Sequence, residues 1–154
     1  MKIGAATAKG LAFPNSTPCV AVSTLAALAY GADEDGLLCP VLDARRGMFY
    51  NALFQSCSGV VTRLTEDRQV SSDELVSQVR AYGQTVVLSG DGSPLLPLEG
   101  AVCKEPYVKA EDLIAVVLAG GGITCSPAEL APEYLRLPQA ERERLERIKI
   151  DKGV

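Results

Sequence analysis

The sequence predicts an α/β protein in which helices cover the faces of a mixed β-sheet. Three observations predict it. Between Leu37 and Leu64 there are three short apolar runs, parted by the turn residues Asp43-Ala44-Arg45-Arg46-Gly47 and the Ser56-to-Gly59 punctuation, which is the pattern of an antiparallel meander. A helix-period segment follows near Ser72, and then Thr85-Val86-Val87-Leu88, a continuous apolar run of the kind found in strands buried on both faces. Alanine-rich segments at either end of this core read as helices that supply the covering layers.

Each element has a local reason. Ile3 to Phe13 is rich in alanine and stops at Pro14-Asn15, which predicts a short, mostly buried helix. Pro18 to Val22 reads as a buried strand, and Ser23 as the N-cap of a helix through about Tyr30, closed by Gly31. Leu37 to Leu42, Met48 to Phe54 and Val60 to Leu64 are the meander strands. Ser71 or Ser72 caps a helix with Leu75, Val76 and Val79 on one face, ending near Gly83. After the 85–88 strand comes the Ser89-Gly90-Asp91-Gly92-Ser93 turn, then a short strand at Ala101-Val102-Cys103. An apolar helix from Ala110 to Ala119 stops at Gly120-Gly121-Gly122. Beyond Ala131, Pro132 to Arg136 is extended, and Gln139 to Lys152 is a charged, helical tail, expected either to act as a docking arm or to fray.

From Leu37 onward the order is three antiparallel strands, helix, strand, short strand, helix, which is that of an RNase H-like lobe. The predicted organisation is therefore an incomplete first lobe over residues 1–36, a helix–strand–helix lacking its own meander. An RNase H-like lobe spans 37–130, and the extended segment and charged tail span 131–154.

Composition narrows the chemistry. The 154 residues carry a formal charge of −4, which argues against direct nucleic-acid or anionic-membrane binding. No histidine is present, so the imidazole-dependent nucleophilic pairs cannot be built, and no Cys-x-x-Cys spacing replaces histidine at a zinc site. The five cysteines, Cys19, Cys39, Cys57, Cys103 and Cys125, are odd in number and far apart along the chain. They read as reduced thiols of a cytoplasmic protein, with Cys19 and Cys39 as core filler. The longest apolar run, Leu113 to Ala119, is too short for a membrane span, and Lys9 interrupts what would be a signal core.

Candidate sites are few. The Asp43, Arg45, Arg46, Gly47 turn admits two readings: a guanidinium pair for a phosphate or carboxylate, or plain turn geometry with solvated arginines. Gly90, Asp91 and Gly92 follow a buried strand, where α/β folds place ligands, and also suit an ordinary strand-to-loop turn. Gly120 to Gly122 come after a helix and so read as a C-cap, not a phosphate cradle. Ser23, with no base to activate it, reads as a cap, and nothing places two carboxylates together for acid–base work.

Several stretches carry a resemblance. Ile3 to Ala12 (IGAATAKGLA), Val20-Ala21-Val22-Ser23-Thr24-Leu25, Pro40 to Gly47 (PVLDARRG), Gly90-Asp91-Gly92, and Tyr134-Leu135-Arg136 with Gln139-Ala140-Glu141-Arg142 resemble the TsaB (YeaZ) family, in that family's order and over nearly the whole chain. The Asp-Ala-Arg-Arg-Gly run and the terminal pair are the most specific. The resemblance implies a fold of the actin-like ATPase superfamily, formerly labelled an inactive glycoprotease. It also implies a non-catalytic role in making N6-threonylcarbamoyladenosine beside the anticodon of tRNAs that read ANN codons. Members partner the transferase TsaD, whose metal-binding histidines they lack, with the ATPase TsaE joining the complex. Contact with tRNA would then be indirect, and no cofactor or metal is implied for this chain.

Members also self-associate through their first lobe, so Ala5, Ala8 and Leu11 on the first helix are the expected partner interface. Asp43, Arg45, Arg46 and Gly47 then become a signature turn with a structural or partner-facing role. The alternative is an independent small hydrolase or nucleotide-binding ATPase of the same superfamily. The chain departs from the family at its start, where an Asp-Thr-Ser strand turn and a Gly-Ser-Phe-Thr-Gly loop are expected before Ile3. Two expectations follow: the Cys19-to-Val22 strand has unpaired edges, and the chain is oligomeric or partly ordered over residues 1–30. Ala26 stands where the family often has Glu, so the box at Ser23 lacks its return bond.

Overall fold

A computed structural model describes residues 2–133 and 135. The tail expectations that fall on residue 134 and on residues 136–154 lie outside the described residues.

The chain forms α1 (Lys2–Ala12), a 3-10 turn at Phe13–Asn15, β1 (Cys19–Ala21), α2 (Thr24–Tyr30), β2 (Gly36–Asp43), β3 (Met48–Asn51), β4 (Phe54–Cys57), β5 (Val60–Arg63) and β6 (Arg68–Ser71). There follow α3 (Ser72–Ala81), β7 (Val86–Ser89), β8 (Val102–Cys103), α4 (Ala110–Leu118) and β9 (Ile123–Cys125). The caps are those the sequence names. Ser23 Oγ accepts from Ala26 N at 3.2 Å, Gly31 closes α2, and Ser71 Oγ accepts from Glu74 N at 3.3 Å.

β2 is the spine of the main sheet. Its upper half pairs antiparallel with β3 and its lower half with β4, while β7 runs parallel along its other edge and β8 parallel to β7. β5 pairs with β4, and β6 with β3. The predicted three-strand meander is therefore present, with two corrections: its second strand is split at Ala52–Leu53, and beyond the third, after a matching split at residues 64–67, the chain resumes as β6, a strand the sequence does not predict. The two splits face each other, because Leu53 O accepts from Leu64 N (2.8 Å) and Thr65 N (3.2 Å) while Leu53 N donates to Thr65 Oγ1 (2.8 Å).

The cause of the second split is tertiary. Asp67 leaves the ladder, accepts from Arg63 Nη1 at 2.5 Å through Oδ1 and from Ser23 Oγ through Oδ2, and so ties the N-terminus of α2 to the sheet. Arg63 lies over the Phe54 ring, 4.6 Å from its centroid. At the first split the fully buried Asn51 donates to the carbonyls of Pro40 (2.9 Å) and Ala52 (3.1 Å), which satisfies groups that the broken strand leaves inside.

The strand period of two divides the core between two faces. Leu37, Cys39, Val41, Val86 and Leu88 face α3 with Leu75 and Val79; Leu38 and Val87 face α2 and α4 with Leu25, Ala27, Phe54 and Val116. β7 is buried along its whole length, as its apolar run predicts.

Several expectations near the N-terminus need correction. α1 is mostly exposed, with Ile3 84% and Leu11 77% accessible and only Ala12 buried, because it packs chiefly on the adjoining 3-10 turn and on the short β1 and not on the main sheet. β1 is half-exposed, and Cys19 is only half-buried instead of sealed in the core. One of its edges is paired: β9, a strand the sequence does not advertise, runs antiparallel to it. Val20 and Ile123 remain exposed on this ribbon, as do Ile114 and Leu118 on α4. Among the described residues no helix is long and apolar enough to cross a membrane.

Candidate functional site

The carboxyl ends of β2 and β7 form the place where this sheet could hold a ligand. The two strands are parallel neighbours, the chain leaves β2 toward β3 on one side and β7 toward β8 on the other, and crevices at such switch points are where open α/β sheets bind. Both candidate turns meet there, although 48 residues separate Asp43 from Asp91.

Gly90, Asp91 and Gly92 fill this crevice. β7 pairs with β2 from Leu37 to Pro40, which leaves Val41 O and Asp43 N beyond the ladder. Gly92 N donates to Val41 O at 3.1 Å, and Asp91 Oδ1 accepts from Asp43 N at 3.0 Å, so the loop carries the ladder onward with one backbone and one side-chain bond. A side chain cannot fit at Gly90 and is crowded at Gly92. A Cβ on Gly90, which has φ +95°, would stand 2.2 Å from Val41 O, and one on Gly92 would stand 3.0 Å from Phe49 Cδ1 and 3.1 Å from Val41 O. The glycines permit approach by the protein's own backbone.

The Asp43 turn is equally self-contained. Arg45, Arg46 and Gly47 all take left-handed conformations, with φ of 68°, 58° and 71°. Two successive non-glycine residues in that region cost about 1–2 kcal/mol each. Asp43 offsets part of this: Oδ1 accepts from Arg45 N at 2.7 Å and Oδ2 pairs with Arg45 Nη1 at 3.1 Å. Gly47 O accepts from Ser72 N at 3.0 Å, which joins the turn to the start of α3. Both arginines stay in solvent, Arg45 84% exposed despite its pairing with Asp43 and Arg46 exposed beside it.

Nearby, a cavity of about 10 Å³ lies between the end of α2 and the start of α4, lined by Ser89, Tyr107, Lys109 and Asp112 among others. That is room for about one water. The buried Asp112 accepts from Lys109 N at 2.7 Å, as a first-turn carboxylate should, and its carboxyl group occupies the space that a Cβ on Gly31 would need. No group of three or more potential metal ligands occurs among the described residues.

The structure leaves the predicted interface residues apart from this corner. Ala5 is half-buried, Ala8 and Leu11 are exposed, and Lys9 on the same helix reaches Ala128 O at 3.1 Å. Sequence reasoning missed Asp67 and Asp35. Asp35 holds the β4–β5 turn: Ser58 N, Ser56 Oγ and Gly59 N donate to it, and those bonds, Ser58's foremost, lower its pKa from the ordinary carboxylate value. The only available signal was a run of acids before a glycine. Cys39, desolvated in the core, has its thiol pKa pushed up to about 12.

Residues 1–116 match the sequence profile of the family described as TsaD, tRNA N6-adenosine threonylcarbamoyltransferase. A curated relative, the tRNA threonylcarbamoyladenosine biosynthesis protein TsaB of Bacillus subtilis (strain 168), is 28% identical over 155 residues, covering 95% of this chain and 68% of that protein. The chain belongs to this family, within its TsaB/YeaZ group. Two solved Pseudomonas aeruginosa structures share the fold. One, described as an uncharacterized protein with similarity to peptidase YEAZ, has a TM-score of 0.69 at 23% identity, over 88% of this chain and 67% of that one. The other, described as YeaZ, has a TM-score of 0.68 at 22% identity, over 87% and 67%. From β2 outward the sheet has an antiparallel meander on one side and the parallel β7 and β8 on the other, the arrangement expected of an RNase H-like lobe.

Proposed function

We propose that this chain is a non-catalytic subunit in the synthesis of N6-threonylcarbamoyladenosine in tRNA, and that it acts by binding a TsaD-type transferase through α1, with Ala5, Ala8 and Leu11 in the contact. The observation that carries this reading is the filled switch point. Val41 O and Asp43 N, the backbone groups a ligand would meet at the end of the parallel ladder, are taken by Gly92 N and Asp91 Oδ1. The chain also has no histidine to serve as base or metal ligand.

Family membership supports the pathway, since the Bacillus subtilis relative is by name a biosynthesis protein for this nucleoside. The exposed side chains of α1 support the docking face, because apolar groups left in water are stabilised by a partner that covers them. The formal charge of −4 fits a subunit that reaches tRNA only through that partner. A TsaE-type ATPase and a second copy of the chain are further partners in this reading, its setting is the cytoplasm, and it needs no cofactor held by this chain. The division at residues 36/37 and 130/131 belongs to the same proposal, with β9 crossing the first boundary to pair with β1.

Reconstitution tests it. Modified tRNA is expected only when this chain and the transferase are both present, and Asp43→Asn or Asp91→Asn should leave that requirement satisfied. ATP turnover or peptide cleavage by this chain alone, abolished by either substitution, would establish the independent-enzyme reading instead.

A further inference from the structure

Along the sequence no two cysteines are neighbours, yet the β1–β9 ribbon sets Cys19 directly opposite Cys125. We propose that Cys19 and Cys125 form a reversible cross-strand disulfide by exchange with a low-molecular-weight disulfide of the glutathione class.

Residues directly opposed in an antiparallel pair point their side chains to the same face and stand about 4.5–5.5 Å apart at Cα. A disulfide needs about 4.4–6.8 Å, so the bond can close without moving the strands. Both cysteines are free and half-buried, which leaves them within reach of a small reagent, unlike Cys39 in the core. The remaining two are exposed but unmatched: Cys57 faces Val60 across its ladder, and Cys103 faces Leu88. The thiol of Cys19 makes only a weak 3.9 Å contact with Thr17 O, so little holds it away from Cys125.

The ribbon's connections give the bond a mechanical consequence. β1 continues into α2 through Val22 and Ser23, where Asp67 fixes the chain, and β9 returns from α4 through Gly120, Gly121 and Gly122. Two of those glycines have positive φ, 80° and 88°, and the pairing of two three-residue strands, with the Lys9 Nζ bond to Ala128 O beside it, holds that side down. The disulfide would clamp it.

The exchange balances. One thiolate attacks the reagent disulfide and forms a mixed disulfide, releasing one reagent thiolate; the second cysteine thiolate attacks the protein sulfur of that mixed disulfide and expels the other. The protein loses two electrons and two protons, and one disulfide becomes two thiols.

The test uses the full chain with Cys57→Ser and Cys103→Ser, equilibrated across glutathione redox buffers and read by intact mass and peptide mapping. The expected product is a monomer two hydrogens lighter, with the Cys19 and Cys125 peptides linked and released by dithiothreitol. Half-oxidation is expected at a glutathione disulfide level at least about tenfold lower than that which glutathionylates Cys125 in a Cys19→Ser variant, because the second step is intramolecular. Cys125→Ser provides the mirrored arm. Separate glutathione adducts on the two cysteines, a crosslink between chains, or equal thresholds with and without Cys19 would overturn the proposal.

Discussion

Replacing Gly90 by alanine measures how tightly the switch point is closed. Gly90 has φ +95°, and a Cβ there would lie 2.2 Å from Val41 O, a backbone atom of the central strand that has little room to retreat. The backbone conformation alone costs a non-glycine residue about 1–2 kcal/mol. Relieving the clash also separates Gly92 N from Val41 O and Asp91 Oδ1 from Asp43 N, two bonds worth about 1 kcal/mol each. The expected loss is about 3–4 kcal/mol, a large share of the 5–15 kcal/mol typical of a domain. Urea unfolding at equilibrium reads it as a fall in midpoint at constant slope. Gly59→Ala is the control, because Gly59 has a similar φ of +77° with nothing within 4 Å, so it carries the conformational cost without the clash. Equal losses at the two positions would refute the claim that the loop is pressed onto β2.

Three further outcomes are expected. Asp91→Ala should cost about 1 kcal/mol in the same unfolding assay while Asp91→Asn, which keeps an acceptor for Asp43 N, should cost less than half of that. Asp35 has a folded-state pKa lowered by Ser58 N–H and its neighbours, so its contribution is complete above the ordinary aspartate value of about 4 and is lost as pH falls through that value and the lower folded one. Asp35→Asn should therefore destabilise at neutral pH, with the gap to the parent chain closing in acid, as a pH series of melting temperatures would record. Burial pushes the Cys39 thiol up to about 12, so under native conditions a thiol reagent should label Cys57 and Cys103 quickly and Cys39 only as fast as the core opens.

The sequence made legible what depends on neighbours along the chain. Ser23 and Ser71 announce helix starts, the 85–88 run announces a strand buried on both faces, and Asp43 to Gly47 announces a hairpin. What it hid depends on contacts between distant residues. β6 lies beyond the predicted third strand, and Thr65 and Asp67 part it from β5 because one bonds Leu53 and the other reaches Ser23, partners that no local pattern encodes. β9 is three residues long and exists because β1 lies beside it. α1 reads as a core helix because alanine suits close packing, but whether a helix face is covered depends on which elements lie beside it, and among the described residues those are chiefly the adjoining 3-10 turn and β1. The two candidate turns were each visible, but their contact follows from the parallel register of β2 and β7, which neither strand reveals alone.

The docking claim is tested most directly by the affinity of this chain for a TsaD-type transferase, with and without Ala8→Glu, measured by calorimetry. Ala8 is exposed and sits mid-helix, where glutamate is well tolerated, so the variant should fold and melt as the parent does. An unpaired carboxylate buried in the proposed contact should weaken binding by about a hundredfold or more. Unchanged affinity in a folded variant would contradict the account and move the interface away from α1.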